Sequence, residues 1–165
     1  MQKRIVERLS QIGWACALIR WVNLVSTALI FISFPAMLII FAVKRLFIQA
    51  LILALSCAVP FLIVTGVRAL LDRPRPFEAE GYTPLLKREK GGRSFPSRHA
   101  LSASVISTLC LCAVGTPVGI ILWVFTLALS VCRYLSGVHY LSDLLVGIAV
   151  GTLSGILGVF LLSLI

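Results

Sequence analysis

The stretch Trp21–Val43, "WVNLVSTALIFISFPAMLIIFAV", carries no charged residue. A helix needs roughly 20 mainly apolar residues to cross a bilayer, so this run reads as a transmembrane helix. Pro35 lies inside it; membrane bundles tolerate such a proline because neighbouring groups re-satisfy the freed backbone. Lys44 and Arg45 close the run in a short polar turn, and Leu46–Val67 forms a second run. Three more follow a long polar segment: His99–Gly115, slightly short; Val118–Ser136, entered through "GTPVG"; and His139–Ile165. The expected fold is therefore all-α, a polytopic membrane bundle of about five transmembrane helices.

Composition agrees. The chain of 165 residues is 59% hydrophobic, with a mean hydropathy of +1.05; soluble domains usually sit near 45–50% apolar. The formal net charge is +9, from 15 Lys and Arg against 6 Asp and Glu. In a soluble protein that balance points to nucleic acid. Here the basic residues punctuate apolar runs, so an anionic substrate or lipid headgroups fit instead, and no nucleic-acid partner is expected. The length suits a single domain over residues 1–165.

Before the first run, Ile5, Leu9, Ile12 and Ala15–Cys16 recur at helical spacing between charged residues. Residues 1–20 thus read as an amphipathic helix lying in the interface, not a cleavable signal. The five cysteines (Cys16, Cys57, Cys110, Cys112 and Cys132) sit in or beside apolar runs without a CxxC pair, and read as buried free thiols. Residues 68–98 form the one long polar segment. They hold Pro74, Pro76, Pro84, Pro96 and Gly91–Gly92, which make the segment mostly loop.

Counting crossings locates a site. The second run ends at Arg68, the third starts at His99, the fourth ends near Arg133 and the fifth starts at His139. Hydropathy alone therefore brings "RALLDRPRP" (Arg68–Pro76), "PSRH" (Pro96–His99) and "CRYLSGVHYLSD" (Cys132–Asp143) to one face. Ionisable groups at membrane depth are functional by default. Asp143 is the only acid in an apolar run and follows His139 by four residues, one helical turn. Its carboxylate can accept the imidazole N–H, fix the tautomer and stabilise charge when the other nitrogen attacks. Arg68, Arg73, Arg75 and Arg133 present guanidinium forks that match phosphate oxygens. Arg133 and His139 would face apart on one unbroken helix, so Gly137 is expected to break it. Ser94 or Ser97 can cap the third helix, with Pro96 in its first turn; His99 would then stand beside a bound anion and give it a proton. Two histidines and one acid also suggest zinc, but the arginines repel a cation and a fourth ligand is missing. No metal or other cofactor is expected.

These residues resemble the type 2 phosphatidic acid phosphatase superfamily, lipid phosphate phosphatases related to vanadium haloperoxidases. Its pattern, K-x6-R-P, P-S-G-H and S-R-x5-H-x3-D, is matched in order and spacing by the three stretches quoted above. Three positions depart: Arg68 stands for lysine, Cys132 for serine and Arg98 for glycine. The resemblance implies that His139 is the nucleophile, forming a phosphohistidine, and that Asp143 orients it. His99 would protonate the leaving oxygen and then activate water. Arg68, Arg75, Ser97 and Arg133 would hold the phosphoryl oxygens, and Arg98 would add a cation for a diphosphate or a second anionic group. The substrate would be a lipid phosphate or diphosphate: undecaprenyl diphosphate, phosphatidylglycerophosphate, phosphatidic acid or a lipid A. A lipid phosphotransferase and a non-catalytic phospholipid- or anion-binding or transport protein are the alternatives. Transport would spread charge along the helices, whereas here it gathers on one face. The positive-inside rule would put that face in the cytoplasm. Since its arginines serve the site, and bacterial relatives face outward, the site is expected on the extracytoplasmic side of a bacterial cell membrane.

Overall fold

The structure, a computed structural model, describes residues 2–86 and 91–165. Residues 87–90 of the expected loop, and Met1 of the expected interfacial helix, lie outside them. The described residues form seven helices in order: α1 (Gln2–Ser10), α2 (Gly13–Val43), α3 (Phe47–Leu71), α4 (Pro76–Ala79), α5 (Arg98–Ala113), α6 (Thr116–Leu135) and α7 (Leu141–Leu162). Among the described residues there is no strand. Helices α2, α6 and α7, and the run from Phe47 that contains α3, are long and apolar enough to cross a membrane. Their outward faces carry exposed Leu, Ile, Val and Phe, as lipid contact requires. The molecule is an all-α integral membrane protein.

The third apolar run is α5, and its surroundings explain its shortness. Its 16 residues rise about 24 Å, less than a typical hydrocarbon core of about 30 Å. Residues Ala103 to Cys110 are all buried, because α2, α3, α6 and α7 pack around the helix. Small polar side chains serve the close contacts there: Ser104 Oγ donates to the Ala100 carbonyl at 2.8 Å, and Ser107 bonds Thr126 of α6 at 2.8 Å. Helix α7 meets α5 through Gly147, Gly151 and Gly155, and Gly158 packs against Ser56 of α3 and Leu109 of α5. A Cβ at Gly147 would stand 2.7 Å from the Ser97 carbonyl oxygen, and one at Gly155 2.7 Å from Thr108 Cβ. The glycine stripe is packing, as small residues at this spacing imply.

Several boundaries differ from the sequence expectation. The amphipathic segment is not one helix over 1–20. Helix α1 ends at Ser10 and α2 starts at Gly13, so Arg20 and Trp21 belong to the long membrane helix. Trp14 and Trp21 are 73% and 66% exposed near its start, where an aromatic belt would lie. Helix α3 runs on to Leu71, so Arg68 sits in a last helical turn and the loop begins at Asp72. Pro96 is not in the first turn of α5, which starts at Arg98.

Candidate active site

Four chain segments meet at one end of the bundle: the last turn of α3, the loop before α5, the end of α6 and the turn into α7. Residue Gly137 makes the last of these possible. It follows the C-cap of α6 with φ +76°, a conformation that favours glycine, and a Cβ there would strike the Tyr82 ring. The chain turns at this point, so Arg133 and His139 lie on different elements and can face one centre.

His139 is buried and precedes α7 instead of opening it. Tyr140 is the N-cap and Asp143 the third helical residue. Asp143 therefore reaches His139 by folding back over a helix start, as a capping side chain does. His139 Nδ1 lies 3.4 Å from Asp143 Oδ2. The same oxygen accepts Tyr140 N–H at 3.0 Å and Ser94 Oγ at 2.5 Å. The other carboxylate oxygen, Oδ1, receives Arg73 at 2.9 Å. A fully buried carboxylate needs such partners. With Nδ1 turned to Asp143, Nε2 is the nitrogen left to face a reacting group.

Ser97 caps α5: its Oγ accepts Ala100 N–H at 3.4 Å, and its own N–H donates to the Asp143 carbonyl at 3.0 Å. Ser94 is no cap. It bonds Asp143 and lies 3.5 Å from His139 Nδ1. Arg68 is buried; its Nη1 donates to the Ser94 and Pro96 carbonyls at 3.1 and 2.6 Å, so it holds the backbone that presents Ser97. Arg75 donates through Nε to the Gly92 carbonyl at 3.3 Å. Glu78 Oε2 accepts both Arg75 N–H and Gly92 N–H, at 2.8 and 2.7 Å, tying the two ends of the loop together. Arg133 is buried at the end of α6. Burial lowers the His139 pKa to about 4; the Asp143 hydrogen bond opposes this, and the charges of Arg133 and Arg75 add to it. His99, the second residue of α5, is half-buried with its ring edge-on to Phe31 at 6.2 Å. Arg98 is exposed and turned to Phe61.

Thus the structure gathers His139, Asp143, Arg75, Arg133, Arg68 and Ser97 at one end of the bundle, with His99 and Arg98 at the start of α5. The sequence reading named Arg73 and Ser94 but not their partners, and it missed Gln2 altogether. Arg73 is an Asp143 partner whose guanidinium lies over the Tyr140 ring at 4.2 Å. Ser94 serves the carboxylate. Gln2, from α1, donates through Nε2 to the Tyr134 and His139 carbonyls at 2.8 and 2.9 Å. Nothing local marks Gln2, since both bonds span more than 130 residues. No cluster of three or more His, Cys, Asp or Glu side chains forms among the described residues.

A buried His–Asp pair ringed by arginines at the polar end of a membrane bundle describes a phosphate-handling class of membrane protein. The chain belongs to the PAP2 superfamily, whose family model matches residues 49–163. It is 47% identical over 62 residues to the decaprenylphosphoryl-5-phosphoribose phosphatase of Mycobacterium tuberculosis, a stretch covering 38% of this chain and 33% of that relative. The chain therefore spans about a third of the curated relative it matches. The fold is similar to that of a transmembrane PAP2-type phosphatidylglycerolphosphate phosphatase from Bacillus subtilis, with a TM-score of 0.73, 22% identity and coverage of 99% of this chain and 85% of that one. It is also similar to Aquifex aeolicus LpxE, with a TM-score of 0.68, 22% identity and coverage of 87% and 93%.

Proposed function

We propose that the protein is an integral-membrane lipid phosphatase that hydrolyses a phosphomonoester or diphosphate through a phosphohistidine. The observation that carries this reading is the buried Ser94–Asp143–His139 chain with Arg75 and Arg133 beside the imidazole. Nε2 of His139 attacks phosphorus while Asp143 holds Nδ1 and stabilises the developing imidazolium. The oxygen of the breaking P–O bond leaves with a proton from His99. Water, activated by His99, then cleaves the P–N bond and releases phosphate. Arg68, Arg75, Arg133 and the Ser97 region stabilise the phosphoryl oxygens, so catalysis is chiefly positioning and electrostatics. The route uses no metal or cofactor. The relative's name supports a polyprenyl-linked phosphate over a glycerolipid. Residues 1–165 act as one domain, and the site opens on the extracytoplasmic side of a bacterial cell membrane.

Phosphate release by the detergent-solubilised chain tests the reading, with polyprenyl diphosphate, phosphatidylglycerophosphate, phosphatidic acid and lipid A as the panel. His139→Ala is expected to reduce release to background and to abolish an acid-labile phosphoenzyme, and vanadate to inhibit the wild type. Turnover that survives His139→Ala, or that requires a divalent metal, refutes the mechanism.

A further inference from the structure

Helices α2 and α3 leave an apolar groove between them, of about 320 Å³, floored by Ser102 and Ile106 of α5. Phe31 lines it from α2 and Phe61 from α3. At its polar end the first two residues of α5 diverge. The His99 ring lies edge-on to Phe31 at 6.2 Å, and the Arg98 guanidinium carbon stands 5.5 Å from the centre of the Phe61 ring. Arg98 and His99 therefore meet this groove at its polar end through Phe61 and Phe31, and its apolar lining suits the hydrocarbon tail of the substrate.

Arg98 sits on the tail side of that centre. Phe61 precedes Arg68 by seven residues on α3, about 10 Å along the helix axis towards the hydrocarbon. Among the described residues no carboxylate pairs with Arg98. A guanidinium beside hydrocarbon is costly without an anion, and it matches phosphate oxygens in bidentate fashion.

We infer that Arg98 binds a second negative group between the scissile phosphate and the tail, so that the enzyme prefers lipids bearing two phosphates in series. The outer phosphate is cleaved and the inner one retained. This rests on the phosphatase reading above. With a lipid diphosphate, the His139 Nε2–P bond forms as the bridging P–O bond breaks. The electron pair stays on the bridging oxygen, which takes the His99 proton. The retained lipid monophosphate then departs with Arg98 on its oxygens. With a sugar phosphate joined to the lipid by a phosphodiester, Arg98 would meet the diester instead, and would contribute binding without touching the leaving group.

The test compares three lipids with the same polyprenyl tail: a monophosphate, a diphosphate and a phosphodiester-linked sugar phosphate. Each is turned over by the full chain in detergent as wild type, Arg98→Gly and Arg98→Lys, with thermal stability measured alongside. A lost charge-assisted contact predicts that Arg98→Gly lowers kcat/KM for a two-phosphate lipid relative to the monophosphate roughly tenfold, while Arg98→Lys retains most of the preference. A fall confined to the diphosphate, and expressed in kcat, identifies the inner phosphate as part of the leaving group. A fall confined to the sugar phosphate, and expressed in KM, identifies the diester. If Arg98→Gly unfolds, Arg98→Gln makes the same comparison. Ratios within about twofold of wild type for both two-phosphate lipids overturn the inference and leave Arg98 a contact for bulk headgroups. A wild type that releases phosphate from none of the three refutes the phosphatase reading itself, and this inference with it.

Discussion

At the residue scale, His139 carries the sharpest prediction. Its pKa lies at about 4 in the folded protein, chiefly through burial, against about 6.5 for a free imidazole. A lowered pKa keeps the ring unprotonated, and so nucleophilic, as pH falls. The acid limb of kcat/KM assigned to His139 should therefore appear only as pH approaches 4, not near 6.5. The charge of Arg133 helps to hold the pKa down, so Arg133→Gln should move the limb upward, and comparison with wild type cancels the ionisation of the substrate itself. An acid limb near 6.5 in wild type, unmoved by Arg133→Gln, would count against a buried nucleophile. The reactive pair was legible in "HYLSD" from spacing alone. Its partners were not: Ser94 lies 49 positions from Asp143 and Arg73 lies 70 positions away, and no local pattern marks either.

At the element scale, α1 does more than lie in the interface. Its charged and apolar residues alternate with helical period, which made the helix visible in the sequence. The buried Gln2 amide instead fastens the α6–α7 turn by two carbonyls, one of them His139's own, and Lys3 N–H reaches Glu80 at 3.3 Å. Each such bond is worth about 1 kcal/mol net. Gln2→Leu should therefore lower kcat about tenfold with little change in KM. Loss of position at His139 slows chemistry, while phosphate binding by the arginines persists. Equal changes in kcat and KM, or a fall in activity that only tracks thermal stability, would assign Gln2 to general folding. Helix ends were the least legible feature at this scale. The chain breaks at Gln11–Ile12, and α3 continues through Arg68 to Leu71, ending where Asp72 turns left-handed two residues before Pro74.

At the scale of the whole molecule, the site gathers at one end and the other end is plain. Cys112 is exposed near the close of α5, far along the helix from Ser97, while Arg93 is exposed on the active-site loop. Each can report sidedness as the single cysteine in an otherwise cysteine-free chain. A membrane-impermeant maleimide added to intact cells should label Arg93→Cys and spare Cys112 if the site opens outward. The reverse pattern would place the site in the cytoplasm, as the count of basic residues alone suggests.

By itself the sequence determined the membrane bundle, since charge-free runs of spanning length leave the backbone no other way to satisfy its hydrogen bonds. It also determined which segments share a face, because alternate crossings return to the same side. Only the tertiary structure decided what each polar side chain does there. Burial removes water as a partner, so Asp143, Arg68 and Gln2 must each be matched by whatever group the packing delivers. Those groups come from segments whose distance along the chain carries no record of their meeting.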